Sequence, residues 1–159
     1  MTRRREPIFL SVNDVLEIHD AMLSYGGHPG ILSTHLLESA VAMPYMMFGG
    51  EFLHSDISDM AAAYAFHLIR DHTTHRENVI HAGTALERRR AKRGLVGAKS
   101  PAFWDGYKRT GTAVMLAFLR ENRVTHNLIE DDVIWLGYHI QDHSMTIDQI
   151  GSFLRAHVT

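Results

Sequence analysis

The sequence predicts an all-α fold, a compact helical bundle around one central buried helix, and three observations carry that expectation. Apolar residues recur at helical rather than alternating spacing over most of the chain. Helix start and stop signals bracket those stretches. The segment "SDMAAAYAFHLIRD" is apolar on most of its surface, as a helix is when other helices cover it. A chain of 159 residues suits a single domain, 1–159, with one core.

Taken in order, Ser11 and Asp14 form a capping-box-like start. Behind them Val12, Val15, Leu16, Ile18, Met22 and Leu23 make one apolar face, and Gly26-Gly27 stops the helix. A second helix is expected from about Ser33 through "HLLESAVAM", ending before Pro44. The stretch "MPYMMFGGEF" reads as a loop or extended segment with Gly49-Gly50 as its turn. The central helix is expected over about Ser58–Asp71. A fourth helix runs from Arg109 or Thr110 to about Asn122, and a fifth, "EDDVIWLGYHIQD", has acids in its first turn. "TIDQIGSFLRAH" follows with Thr146 and Gln149 as another capping box. "PIFL" is the one candidate strand, and no internal repeat appears.

Composition excludes several classes. There is no cysteine, hence no disulfide framework and no thiolate metal site, which fits a cytoplasmic location. No apolar run approaches the roughly 20 residues that span a bilayer, and "MTRRREPIFLS" lacks the apolar core of a signal peptide. The formal charge of −2 hides an asymmetry: residues 73–102 hold seven Lys or Arg against Glu77 and Glu87, a net of +5, which leaves −7 for the rest. We read this basic block, which differs in kind from its surroundings, as a solvated loop rather than a direct nucleic-acid surface. Its part "ALERRRAKRGLVGAKSPAFW" reads like coding sequence translated out of frame and then restored, an origin that the underlying codons would reveal.

The chemistry concentrates at "FWDGYKRTG". Asp105-Gly106 is a turn signal, and Thr110 begins a run of good helix formers. A helix start attracts anions through its amide groups and dipole, and Lys108 and Arg109 add two cations there. A carboxylate beside a phosphate site, here Asp105, is a common means of retaining Mg²⁺. The alternative is a capped helix with solvated charges. Neither the G-x-x-x-x-G-K-[ST] loop, a G-x-G-x-x-G turn nor the protein-kinase set is present.

"FWDGYKRTG" resembles the second half of the Fic/Doc signature, H-x-F-x-(D/N)-(A/G)-N-K-R-T. "GILSTHLLESAVAMPYMMFGGEF", "MAAAYAFHLIRDH" and "VMLAFLRENR" resemble the Doc (death-on-curing) branch in the same order. Lys108, where AMP-transferring Fic enzymes carry Gly, favours Doc. The resemblance implies a toxin of a toxin–antitoxin pair, transferring phosphate from Mg-ATP to a hydroxyl of a target protein. It further implies a Phd-type antitoxin as partner and a translation elongation factor as substrate class. Asp105 matches the metal-associated acid, Gly106 the small residue that lets backbone approach phosphate, and Lys108 and Arg109 the phosphate-binding cations. Thr110 completes the matched motif, and Phe103 matches the aromatic that anchors its loop. "MPYMMFGGEF" resembles the flap that aligns the target segment.

Two positions depart from the family. Tyr107 replaces its Asn, and Pro101 stands where the signature His belongs. His72, at the end of "FHLIRDH", has the right upstream context to be the catalytic base, but residues 73–102 separate it from Phe103 where the signature has one residue. Closing a longer loop costs only about 0.6 kcal/mol per doubling of length, so such an excursion could still return to the site. The alternatives are a catalytically inactive Doc-fold module that binds the antitoxin and, third, an AMP transferase of Fic type.

Other constellations have simpler readings. Among twelve histidines, His67, His72, His75 and His81, or the i, i+4 pair His139 and His143, suggest metal ligands, but no third ligand in a recognised pattern accompanies either set. Tyr45, Met46, Met47 and Phe48 could be core or an adaptable protein-binding surface.

Overall fold

The computed structural model describes residues 5–26, 31, 34–82 and 106–159, those from 71 to 82 by their backbone alone. The described chain is all-α apart from one small hairpin. It comprises α1 (Val12–Met22), α2 (Thr34–Ala42), the hairpin β1 (Met47–Phe48) and β2 (Glu51–Phe52), α3 (Ile57–Ala82), α4 (Tyr107–Glu121), α5 (Glu130–Gln141) and α6 (Ile147–His157).

Local signals explain most of these boundaries. At α1 the Asp14 amide donates to Ser11 Oγ at 3.2 Å while the Ser11 amide donates to Asp14 Oδ2 at 2.7 Å, so two helix-end donors are satisfied reciprocally. Thr146 and Gln149 repeat the arrangement at α6. Pro44 lies in a 3-10 turn, Met43–Tyr45, that follows α2. Gly49 and Gly50 both have positive φ, 60° and 85°, the backbone a two-residue hairpin turn requires and glycine adopts without strain.

The central helix is α3. Ala61, Ala62, Ala63, Tyr64 and Ala65 are fully buried, with Leu68 and Ile69 beyond them. The small alanine side chains let neighbouring helices approach closely, and α4 is one of them. A Cβ on Gly111 would overlap the Ile69 side chain, so glycine there sets the α3–α4 separation. Val114, Met115, Phe118 and Leu119 of α4, Leu136 and Ile140 of α5, and Ile150 and Leu154 of α6 complete one core with α3. Outside it, Arg155 Nη1 bridges Asp56 at 2.9 Å and Asp59 at 2.8 Å, joining α6 to the start of α3.

Three expectations are corrected. "PIFL" is not a strand: it is held by side chains that stand in for a neighbouring strand. The Ile8 amide donates to Asn122 Oδ1 at 2.8 Å and Asn122 Nδ2 donates to the Ile8 carbonyl at 2.9 Å. Leu10 exchanges two hydrogen bonds with the Tyr64 hydroxyl, whose pKa burial pushes up to about 12. Second, α3 does not stop at Asp71 but continues through Ala82, so the basic block begins as a continuation of the central helix. Its later residues lie outside the described chain. Third, α4 begins at Tyr107, two or three positions before the expected start at Arg109 or Thr110, because Gly106 takes a left-handed conformation (φ 73°) and its carbonyl accepts from the Thr110 amide at 2.8 Å.

Candidate functional site

The first turn of α4 gathers the described part of the predicted site. Gly106 is its N-cap, and Tyr107, Lys108, Arg109 and Thr110 follow in one turn. Phe103 and Asp105 lie outside the described residues. His72 lies in the helical backbone of α3, and its side chain is likewise outside them.

Each side chain of this turn has a specific engagement. Arg109 reaches across to the end of α1, donating from Nη2 to the Gly26 carbonyl at 2.7 Å and from Nη1 to the Met22 carbonyl at 3.3 Å. A helix end has unpaired carbonyls, and a guanidinium there is favoured by hydrogen bonding and by the helix dipole. Thr110 is fully buried, and its hydroxyl is paired with Nδ1 of buried His19 at 3.0 Å. This places Thr110 in the wall behind the helix start rather than on its surface. Tyr107 is also buried, and its hydroxyl accepts from Gln141 Nε2 at 2.7 Å, so this aromatic is absorbed into the α4–α5 contact.

Lys108 differs from its neighbours. Its ammonium lies 4.1 Å from the centre of the Tyr138 ring, a cation–π contact, and both residues line a groove. That groove, about 550 Å³, runs between the end of α1, α4 and α5, with Met22, Tyr25, Leu116 and Tyr138 among its apolar walls and Lys108, Arg109 and the acid Glu130 as its charged lining. Gly137 faces Lys108 Cβ at 3.8 Å from where its own Cβ would stand. Sequence reasoning found the cations but neither tyrosine, because Tyr25 and Tyr138 carry no motif and reach the groove only through tertiary packing. His19 was missed for the same reason.

The hairpin carries the other motif. Phe48 is 86% exposed, and Tyr45, Met46 and Met47 also face solvent, so the alternative of a buried core is overturned for these four residues. The histidine pair is equally plain: His139 Nδ1 is paired with Ser144 Oγ at 2.7 Å, and His143 Nδ1 accepts from Arg70 Nε at 3.2 Å. Among the described residues no group of three His, Asp or Glu side chains comes together as a metal site. None of the described helices is long and apolar enough to cross a membrane.

No known protein family matches the chain, and no curated protein matches it significantly.

Proposed function

We propose that the chain is a cytoplasmic Doc-type toxin that transfers phosphate from Mg-ATP to a hydroxyl of a target protein, with a translation elongation factor as the substrate class and a Phd-type antitoxin as partner. One observation carries the reading: a glycine with left-handed backbone opens α4, and two cations, Lys108 and Arg109, occupy the turn it opens. That arrangement suits a polyanion, since amide dipoles and fixed positive charge act together there. When bound, Mg-ATP would supply the transferable phosphoryl group. Lys108, held by Tyr138, would neutralise phosphate oxygens as charge shifts during transfer. Arg109 fits less freely, because two of its nitrogens already serve the end of α1. Asp105 would hold the metal, and His72 would take the hydroxyl proton, which requires an approach within about 3 Å or through one water. AMP transfer is disfavoured by Lys108.

A second reading is a Doc-fold module that binds the antitoxin without catalysis. It draws on the unbroken helix through His72 to Ala82, which adds about 15 Å of helical backbone after the candidate base. It also draws on Tyr107, whose place in the core leaves no amide at the family's Asn position.

The experiment is induction of the chain in bacteria without antitoxin, beside His72→Ala and Lys108→Ala at equal abundance. The expected outcome is growth arrest by the parent, lost in both variants, with phosphate rather than AMP found on the modified target by mass spectrometry. No arrest from a soluble, folded parent would favour the non-catalytic module instead. Arrest lost only in Lys108→Ala would keep the phosphate site and assign the base elsewhere.

A further inference from the structure

The hairpin returns to the bundle at Leu53-His54, immediately before α3, over a cavity of about 380 Å³. Leu53, His54, Phe66, Arg70, Thr146 and Asp148 line this cavity, so three elements meet there: the hairpin's return, α3 and the start of α6. His54 Nε2 is buried, and no hydrogen-bonding partner reaches it among the described residues. An imidazole in that state is tolerated while neutral. Once protonated, the half-buried ring would carry a charge, and a proton on its buried Nε2 would find no acceptor among the described residues.

We infer that His54 is a pH-responsive latch, whose protonation releases the return of the β1–β2 hairpin from α3 and α6. The groups that act on it come from both neighbouring helices. His67 of α3 opposes a positive charge, whereas Asp59 of α3 and Asp148 of α6 favour one. Asp59 is already engaged by Arg155 at 2.8 Å, which weakens its help, and Arg70 adds another positive charge to the cavity wall. Burial, reinforced by His67, wins over the two carboxylates and holds the His54 imidazole below its ordinary value of 6.5.

The sign follows from linkage. Well above 6.5 the imidazole is neutral whether the hairpin is closed or open, and pH has little effect. Below 6.5 the open form takes up a proton that the closed form resists, so acid favours opening. Coupling to one proton raises the opening constant by up to about tenfold per pH unit, until the closed form protonates as well. The hairpin is the segment that resembles the family's flap, but the inference stands whether or not the transferase reading holds.

The test uses the full chain, labelled for NMR, from about pH 7.5 to about pH 5, an interval that brackets the ordinary histidine value. The His54 ring is titrated, and protection factors, corrected for intrinsic exchange, are followed for the hairpin amides, including Leu53, which donates to the Met46 carbonyl at 2.8 Å. The wild type should titrate below 6.5 at His54 and lose up to about tenfold protection per pH unit below that value. In His54→Phe the profile should be flat. A His54 ring that titrates at or above 6.5, or the same acid-induced loss in His54→Phe, would overturn the latch. If His54→Phe does not fold, the decision rests on the wild-type ring titration and on His67→Gln, which should move it upward; an unchanged or lowered midpoint counts against the latch.

Discussion

The start of α4 and the β1–β2 hairpin carry the two motifs that drew attention in the sequence, and the fold uses them in opposite ways. At the helix start, Arg109 serves the carbonyls of α1, Thr110 is paired with His19, and Tyr107 is paired with Gln141. At the hairpin, Phe48 and its neighbours touch solvent, and backbone pairing extends only over Met47–Phe52, Phe48–Glu51 and the Leu53-to-Met46 hydrogen bond beside them. The difference teaches that a motif's residue types do not reveal which of its side chains are spent on architecture. Of the two cations in the first turn, Lys108 is the one held by a ring face rather than by the backbone of another helix.

Substitutions can break or sharpen that contrast. The largest effect is expected at Gly111→Leu, one turn along α4, where a side chain must displace Ile69 from the α3–α4 contact. Overpacking of this kind costs about 1–3 kcal/mol, to be read as a lower urea midpoint. Thr110→Val should cost somewhat less, about 1–2 kcal/mol, because it removes the partner of His19 Nδ1 in a buried site. A double-mutant cycle with His19→Ala should then be non-additive, and additivity would mean that the pair contributes nothing to anchoring the helix start. The smallest effect belongs to Phe48→Ser, within about 0.5 kcal/mol of the parent. A loss at Phe48 comparable with that at Thr110 would erase the distinction between an anchored helix start and an outward-facing hairpin.

Much of the fold was legible because its signals are local. The Ser11–Asp14 and Thr146–Gln149 boxes, the Gly49-Gly50 turn and the apolar surface of α3 each act over a few residues, and each appears where the sequence placed it. Less was legible where structure depends on distant partners. "PIFL" has the composition of a strand, yet its backbone is satisfied by Asn122, 114 residues away, and by Tyr64. After Asp71 the apolar surface gives way to His, Thr and charged residues, which is why the continuation of α3 to Ala82 carried no signal in the pattern. At the candidate site, the glycine and two cations were readable from the motif. The commitment of Arg109 to α1 was not, nor was the His19–Thr110 pair, whose members are 91 residues apart.

The tie between α6 and earlier parts of the chain also has a consequence for biosynthesis. Ile150 and Leu154 fill core space beside α3, Arg155 closes on Asp56 and Asp59, and the Asn127 amide donates to the His157 carbonyl at 2.9 Å just beyond α4. A nascent chain that has emerged only as far as α5 lacks all of these contacts. Its central helix would leave the ribosome with one apolar side uncovered, and the core would close only once α6 had been made. Maturation is therefore expected to be a late, concerted event rather than a stepwise one that follows the order of synthesis.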